Sequence, residues 1–529
     1  MKNLFIIFLF ILPWAAYPQE VYQHISNKDI YAFLEEMAAE HFIVVTGVAK
    51  PWSRKYIAER LSTLKQEHWD ELTPVQQQET DFYLKDYNKE LKPGKHFKKR
   101  FDIFYYKDSL FTFSANLILG IQYWHNVNGG LYHRWNGAEA FAYVGKHWGF
   151  YASLRDNHDS RVIRSPQYLN RFMGANYKSG NDFSEMRGGV TYSWKWGSLG
   201  LLKDHFVWGD NYHGSNIFSG RTPSYAYLNL HLTPAKWIEF RYVAGRLVSM
   251  VVDSTLSYWY QDGDEMAYRE VYHPKYLSAN LYIFKPWKRL SLTVGNSIVY
   301  DYMKPYPAYL IPFVFFKSID HTANAGIDNM NSQMFFGVSS RQIRHLHLFA
   351  TLFLDEIAIS RMFDPDRHSN FYSLKAGGAL TNWPLKNTGL KLEYTRTNPL
   401  AYRHYIPTLT FASNRYNLGS YLQDNAQEVY VAVNVRPLRG LFAEVSWNAA
   451  QKGPDYTDRG NRGRLGLPFM ETVEWSSRTL RLYARYQVIN DGYVTASYSH
   501  RRVTGDPAYT PPYWQGSTDT FSVGVNFGF

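Results

Sequence analysis

The sequence contains no cysteine among its 529 residues. This absence excludes disulfide bonds, a lipid anchor on an N-terminal cysteine, and metal sites built from thiolates. Two hydrolase signatures are also missing, because no GxSxG elbow lies at a predicted strand-to-helix turn and no HExxH occurs. We therefore predict a protein that is not an enzyme and that carries no cofactor and no metal ion.

Long apolar runs are absent beyond the first twenty residues. No later apolar stretch reaches the roughly 18 residues that a membrane-spanning helix needs. The mean hydropathy of −0.39 is too polar for a helical membrane protein. Aromatic residues are instead abundant, at 18% of the chain. Such abundance is typical of the aromatic girdles of membrane β-barrels, in which strand alternation hides the hydrophobic residues.

The formal net charge is +11. A basic excess attracts acidic polysaccharide, lipid phosphate or nucleic acid. The alternative explanation is that these charges are scattered over a barrel lumen and its loops. We predict acidic polysaccharide and outer-membrane lipid as partners, and no nucleic acid.

The first part of the chain is predicted to be exported and then helical. Residues 1–18 have the pattern of a signal peptide, because Lys2 precedes a short apolar run. Residues 26–95 have helical periodicity and predict a small periplasmic bundle of three helices that packs against a barrel mouth. Capping boxes are predicted at Ser26–Asp29 and Thr73–Gln76, and a helix start at Ser53. The predicted apolar stripes comprise Ile30, Phe33, Leu34, Met37 and Ala38; Ile57, Leu61 and Leu64; and Val75, Phe82, Tyr83 and Tyr87.

From Leu110 onward the apolar residues recur at every second position, which is the period of a β-strand. The last eleven residues, 519–529, are the clearest example, since aromatic and aliphatic residues share one face and small or polar residues the other. A barrel in lipid needs such a last strand to pair with the first, so that no edge stays open. The terminal Phe529 resembles the signal that the barrel-assembly machinery recognises.

Residues 101–529 are therefore predicted to form an all-β transmembrane β-barrel in the bacterial outer membrane, with eighteen antiparallel strands. A count of sixteen or twenty is the alternative, because single boundaries are uncertain by several residues. After a first strand from about residue 110 to 122, the predicted strands are 131–145, 147–156, 187–196, 199–208, 224–232, 237–248, 275–284, 290–302, 332–340, 346–356, 372–382, 388–397, 425–435, 441–449, 468–488, 493–503 and 518–529.

The connections between these strands alternate between short and long. Outer-membrane barrels have short periplasmic turns and long external loops. With the helices in the periplasm, every predicted short turn lies there and every long loop lies outside the cell. A soluble β-sandwich gives no reason for this alternation.

Charged residues at inward positions have two explanations. Lumenal ion pairs are the favoured one, and a conduction path is the alternative. Either way the inward placement is required, because Arg or Lys on the lipid face costs about 2–4 kcal/mol at the bilayer midplane. The inward charges are Glu239, Arg241, Lys375, Lys391, Glu393, Glu428, Arg481 and Arg485.

The loops are rich in Tyr, Trp, Asn, Asp and Arg, a composition that suits carbohydrate. Aromatic faces stack on sugar rings, and Arg binds uronate carboxylates in a bidentate manner. Neighbouring Asp204 and His205 offer the best acid–base pair for a hydrolase, although ordinary loop hydrogen bonds explain them better. We predict polysaccharide contacts in two outer loops: Trp208, Asp210, Asn211 and Tyr212 in one, and Arg403, His404, Tyr405, Asn414, Arg415 and Tyr416 in the other.

The order of signal, short helical unit with Pro51-Trp52-Ser53-Arg54, and long aromatic barrel resembles the Wzi family of capsule-assembly outer-membrane proteins. Residues 203–210, KDHFVWGD, and residues 397–430 carry most of this resemblance. The resemblance implies an eighteen-stranded barrel that holds exported polysaccharide at the cell surface without turnover. The chain also resembles gliding-motility proteins of the RemB type. The alternatives for its function are therefore a role in gliding, or a porin or transporter.

Overall fold

The computed structural model describes residues 19–92, 94, 96–178, 180–323, 326–456 and 465–528. The predicted signal peptide, 1–18, and Phe529 lie outside the described residues. Eighteen long antiparallel strands close into one barrel, which confirms the predicted fold class and strand count. The strands are β1 Phe111–Asn126, β2 Gly129–Val144, β3 Trp148–Asp159, β4 Asp182–Trp194, β5 Gly197–Asp204, β6 Tyr225–Ala235, β7 Ile238–Val252, β8 Tyr272–Trp287, β9 Leu290–Tyr300, β10 Met330–Ser340, β11 Leu346–Glu356, β12 Phe371–Thr381, β13 Thr388–Thr397, β14 Ala426–Leu438, β15 Leu441–Lys452, β16 Trp475–Ile489, β17 Gly492–Gly505 and β18 Ser517–Phe527.

The seam of the barrel is the pairing of β18 with β1. Phe521 lies opposite His125, and Phe527 lies opposite Leu119. A short strand, Phe104–Lys107, pairs with the remaining part of β1. The last strand therefore closes the barrel, as the alternation of its residues predicted.

The two ends of the barrel differ in their connections. Eight turns of two to six residues lie at one rim, here called the short-turn end. The opposite rim, the long-loop end, carries connections such as 160–181, 301–329 and 398–425. One connection at the long-loop end is short, because only Val127 and Asn128 join β1 to β2. The predicted alternation of short and long connections is thus confirmed, apart from this one tight turn.

Along β18, side chains alternate between an apolar outer wall and a polar lumenal side, whereas β7–β11 also present apolar side chains to the connections that fold into the lumen. On β18, Phe521, Val523 and Val525 are 57–60% exposed on the outer wall, whereas Thr520 and Ser522 are buried on the lumenal side. An apolar outer band of this kind matches the hydrocarbon core of a bilayer. No helix among the described residues combines the length and apolar character that crossing a membrane would require.

Three helices, α1 Lys28–Ala39, α2 Arg54–Glu67 and α3 Pro74–Tyr87, form the N-terminal helical unit. Ser53 caps α2 and accepts a hydrogen bond from the Tyr56 amide, and Thr73 with Gln76 forms the predicted capping box of α3. The box predicted at Ser26 is wrong, because the N-cap of α1 is Asn27, whose side chain makes no capping bond. Nearly all of the predicted apolar stripes are buried between the helices; Val75 is half-buried.

The helical unit is docked onto the short-turn end through polar contacts, as expected. The Gly440 amide donates to Glu79 Oε1 at 2.7 Å, and the Asn490 amide side chain donates to the Phe82 carbonyl at 3.1 Å. Asp29 and Glu36 of α1 form ion pairs with Arg485 and Arg436 of the barrel. The unit therefore covers the mouth of the barrel.

Glu40, at the C-terminus of α1, makes this docking sensitive to pH. Its burial and the neighbouring Glu36 carboxylate raise the pKa of Glu40 to about 7. Because the folded-state pKa is raised, the stability contributed by protonated Glu40 is lost as the pH rises from about 4.5 to about 7. The Asn382 and Gln76 amides donate to Glu40 Oε1 at 2.5 and 2.6 Å, and a glutamine oxygen could accept both bonds.

At pH 8 the buried Glu40 carboxylate is charged and destabilises the folded state, and a neutral glutamine removes this cost. We therefore expect Glu40→Gln to raise the free energy of opening of α1 at pH 8 by about 2 kcal/mol, since one pKa unit corresponds to about 1.4 kcal/mol. Hydrogen exchange of α1 amides at pH 5 and pH 8, corrected for intrinsic exchange rates, measures this. Exposed Glu67→Gln is the matched control. Equal pH dependence of α1 opening in the wild type and in Glu40→Gln would contradict the assignment.

The lumen is filled by two long connections that fold inward rather than outward. In the 205–224 connection, Val207–Trp208 pairs with Ala49–Lys50 of the N-terminal segment. In the 398–425 connection, the Tyr402 hydroxyl donates to the Asn216 carbonyl at 2.6 Å. The predicted barrel strand 199–208 is therefore wrong in its last residues, because the wall strand ends at Asp204 and the chain turns into the lumen.

Candidate functional site

The first group of predicted site residues lies in the lumen and not in an outer loop. Trp208 is 3% exposed and packs edge-to-face against Phe218 and Phe335. Asp210 is buried with an oxygen 3.6 Å from His347 Nε2, and the Tyr212 hydroxyl hydrogen-bonds with His347 Nδ1. Asn211 donates to the Gly209 carbonyl. These contacts hold the inward connection in place.

The second predicted group is dispersed by the fold. Tyr416 is buried, and its hydroxyl bonds with the backbone of Ala175. Asn414 is buried, and its backbone amide donates to the Val248 carbonyl. Arg403 pairs with Asp455 at 3.2 Å, and His404 lies against Tyr405. Only Tyr405 and Arg415 of this group are exposed.

Most inward charges are consumed by ion pairs, as the favoured explanation predicted. Glu239 binds Arg241 at 2.9 Å, and Lys375 binds Glu393 at 2.9 Å. Glu428 lies 3.3 Å from His213 Nε2. Lys391 and Arg485 also have acidic partners, Glu444 and Asp29. Arg481 is the exception and marks a different region of the lumen.

That region is a cavity of about 520 Å³ between β1, β2 and β14–β18. Its volume lies within the range of about 300–1,000 Å³ that is typical of ligand pockets. Lys28 of α1 lines the side nearest the short-turn end, and Trp514 lies on the connection at the long-loop end. The helical unit therefore forms a floor beneath the cavity.

Five cations line this cavity: Arg164, which forms an ion pair with Asp159, and a further four, Lys28, Arg171, Arg481 and Arg501. Among the described residues, no carboxylate oxygen lies within 4.0 Å of any of these four charged groups. Arg171 Nη1 bonds with the His213 ring at 2.8 Å, while Arg481 lies over the Tyr483 ring and Arg501 over Trp514. A concentrated charge that the protein does not neutralise is the electrostatic footprint of an anion-binding site.

The pKa of Lys28 reflects the positive charge of the neighbouring cations. Lys28 is exposed to the cavity, and the surrounding protein, which separates it from bulk water, together with Arg171, Arg485 and Arg481 lowers the pKa of Lys28 to about 7. Glu444, the nearest acid in the cavity, opposes this effect but is itself engaged with Lys391 at 3.6 Å. A bound anion would restore the charged form of Lys28.

Aromatic rings cover the end of the cavity near the long-loop end. The rings of Trp124, Phe172 and Trp514 lie within 5.7–6.4 Å of one another, centroid to centroid. Trp475 donates from Nε1 to the Thr510 hydroxyl at 2.8 Å. Such rings offer flat apolar faces beside polar groups, the combination that binds a pyranose ring.

Rows of hydroxyl groups cover the barrel wall between the aromatic rings and the cations. They lie at every second position of adjacent strands because strand side chains alternate between faces. Each can donate to and accept from a sugar hydroxyl. The group comprises Ser446, Ser477, Thr479, Thr495, Ser497, Ser499, Thr520 and Ser522.

Asp204 and His205 do not form an accessible catalytic pair. Asp204 is 1% and His205 2% exposed. Arg187 Nε donates to Asp204 Oδ1 at 2.7 Å, and His24 Nε2 hydrogen-bonds with His205 Nδ1 at 3.1 Å. The ligand-type atoms of His24, Asp204 and His205 lie within 4.8 Å of one another, yet the adjacent Arg187 disfavours a metal cation there.

An aromatic hairpin is the main external candidate surface. Tyr258–Asp262 pairs with Glu265–Arg269 in the connection between β7 and β8. Trp259, Met266 and Tyr268 share one face and are 43–64% exposed. This hairpin is the surface that best fits the predicted binding through outer loops.

No protein-family model and no curated protein sequence matches this chain. Among solved structures, Wzi from Escherichia coli matches with a TM-score of 0.57 and 11% identity, over 97% of this chain and 100% of Wzi. Wzi is described as an outer-membrane protein involved in group 1 capsule assembly and as a carbohydrate-binding β-barrel. OccD3 from Pseudomonas aeruginosa matches with a TM-score of 0.42 and 10% identity over 78% of this chain and 90% of OccD3. Of the two, the Wzi match alone is close enough to show a shared fold.

Proposed function

We propose that this protein is a non-enzymatic outer-membrane barrel that binds acidic polysaccharide at the cell surface. The main support for this proposal is the cluster of four cations in the lumenal cavity that have no ion-pair partners among the described residues and lie among hydroxyl groups and aromatic rings. The shared fold with Wzi, a carbohydrate-binding barrel, supports the same class of ligand. Uronate carboxylates or other acidic groups of the chain would pair with Arg171, Arg481 and Arg501.

In this proposal the short-turn end and the helical unit face the periplasm, and the long loops face outward. Outer-membrane barrels have this arrangement of short and long connections. A glycan then enters from outside and ends above α1, since the helical unit covers the opposite mouth. The protein retains the glycan and does not pass it through the membrane.

A binding screen of the refolded protein tests the proposal. We expect acidic oligosaccharides to bind and neutral oligosaccharides of equal length not to bind. The affinity should fall as the salt concentration rises, because ions screen the attraction between the charges. Equal binding of neutral and acidic glycans would overturn the proposal. Loss of binding in Trp259→Ala, rather than in variants of the cavity, would move the site to the external hairpin.

Conductance measurements separate this proposal from a porin or transporter. The two inward connections and the helical unit obstruct the lumen, so we expect no large stable channel in planar bilayers. A stable open channel at low voltage would favour the transporter instead. A gene deletion that leaves the capsule intact and abolishes surface movement would assign the protein to gliding.

A further inference from the structure

Residues 301–319 of the connection between β9 and β10 lie on the outer wall of the barrel and not above the rim. Tyr309 and Phe316 of this connection are fully buried against outward-facing residues of β7–β10. The Phe313 ring lies 4.6 Å from the ring of Phe240, centroid to centroid. Phe240 is two residues from the start of β7 at the short-turn end. The connection therefore descends along most of the height of the barrel.

The wall beneath this connection carries amides where lipid-facing residues are normally apolar. Asn280, in the middle of β8, and Asn296 of β9 lie opposite each other and face outward, yet they are 0% and 7% exposed. Asn280 Nδ2 donates to the carbonyls of Pro312 and Val314, at 2.9 Å each. Asn296 Oδ1 accepts from the Phe316 amide at 2.9 Å. An amide without a hydrogen-bond partner in hydrocarbon would cost several kcal/mol. The hydrogen bonds between the asparagine side chains of the wall and the backbone of the connection avoid this cost on both sides.

Further hydrogen bonds hold the irregular backbone of the connection against the wall. The Tyr242 hydroxyl donates to the Tyr309 carbonyl at 2.9 Å, and the Tyr282 hydroxyl donates to the Phe313 carbonyl at 3.1 Å. Pro312 has no N–H group that would need a partner. Irregular backbone persists at membrane depth only where its polar groups are satisfied by protein. The descending segment meets this requirement along the side that faces the barrel.

The side that faces away from the barrel is apolar. Leu310, Ile311, Phe313 and Phe315 are 44–56% exposed. They continue the lipid-facing surface of the neighbouring strands, where outward residues such as Val294 are also exposed. We propose that residues 307–316 form a re-entrant membrane segment whose outer face contacts the acyl chains of lipid. It thickens one side of the barrel within the bilayer.

Spin labelling tests this proposal directly, because the chain contains no cysteine that would compete for the label. Phe313→Cys and Ile311→Cys are labelled with a nitroxide in protein reconstituted into bilayers. Collisions with oxygen, which partitions into lipid, are compared with collisions with a water-soluble nickel chelate. We expect oxygen to dominate several-fold at both positions, as at the lipid-facing control Val523→Cys.

Two results would overturn the proposal. Nickel accessibility at Phe313→Cys, with Val523→Cys still in lipid, would place the segment in water. Protection from both reagents, with dipolar broadening between labels, would show that a second copy of the chain covers it. A variant with Asn280→Val and Asn296→Val should release the segment and raise nickel accessibility at position 313 several-fold, which tests the hydrogen bonds to the wall independently.

Discussion

Replacing Arg481 and Arg501 together by glutamine is expected to lower the affinity for an acidic oligosaccharide by about 100-fold or more. A hydrogen bond to a charged group contributes about 1.5–3 kcal/mol, and every 1.4 kcal/mol corresponds to tenfold in affinity. Neither guanidinium has an ion-pair partner among the described residues, so the substitutions leave no carboxylate of those residues unpaired. Calorimetric titration of the refolded variant measures the change.

The matched control is Arg502→Gln. Arg502 is the next residue on β17, but its exposed side chain lies on the outer wall, because successive strand residues face opposite sides. This variant has lost one positive charge of the same strand and should bind with nearly unchanged affinity. An equal loss of affinity in Arg502→Gln and in the double variant would show that net charge, and not the cavity, governs binding. The salt dependence of binding should also weaken in the double variant alone.

The second large effect is expected from Arg54→Met, which should destabilise the helical unit by about 3 kcal/mol or more. Arg54 is buried and binds Glu90 at 2.6 Å and Asp86 at 3.1 Å. Asp86 keeps Lys89 and Arg100 as partners, but Glu90 has no other ion pair among the described residues, and leaving a buried charge without compensation costs about 3–5 kcal/mol. Hydrogen exchange of α2 and α3 measures the loss separately from the barrel.

Low pH should weaken the Arg54–Asp86 ion pair in the wild type and so lower the stability of the helical unit. Burial alone would raise the pKa of Asp86, but Arg54, Arg100 and Lys89 hold it well below its usual value. Because the folded-state pKa is depressed, the stability is present at neutral pH and is lost as the pH falls below about 4. We expect the Arg54→Met unit to lose less stability over this acidic range than the wild type.

Lys65→Gln is the control for Arg54→Met. Lys65 also pairs with a carboxylate, that of Asp81, but both side chains are 47% exposed. Exposed ion pairs contribute about 0–1 kcal/mol, so this variant should unfold almost as the wild type does. Similar effects of the two substitutions would contradict the role given to burial.

The barrel could be predicted from sequence because its signal is local. Alternation along β18 sets both its apolar face and its need for a partner, and these features require no knowledge of distant residues. The inward connections could not be predicted in this way. Residues 205–224 have the composition of a surface loop, and their position in the lumen depends on partners far away in the sequence, such as Ala49–Lys50 and Tyr402.

In the candidate site, too, some features could be predicted from local sequence and others depend on residues far away in the sequence. Strand parity placed Arg481 in the lumen, yet its lack of an acidic partner depends on which residues the closed barrel brings near it. Trp208, at the end of a predicted strand, and Tyr416, in a long connection, are predicted from sequence to contact polysaccharide in outer loops, but the structure buries both. Asn296 did carry a usable signal, since it interrupts the row of apolar residues on the lipid-facing side of β9, whereas Asn280 did not, because the uninterrupted apolar row of β8, which includes Leu281, faces the lumen.

The helical unit touches several turns of the short-turn end, and this has a consequence for biogenesis. Residues that are synthesised first bind residues that are synthesised last: Asp29 forms an ion pair with Arg485, and the Phe82 carbonyl accepts a hydrogen bond from Asn490. Contacts so distant along the chain form slowly. Until β16 and the turn that follows it are in place, the charged and polar docking face of the helices has no partner, and only the completed barrel covers it.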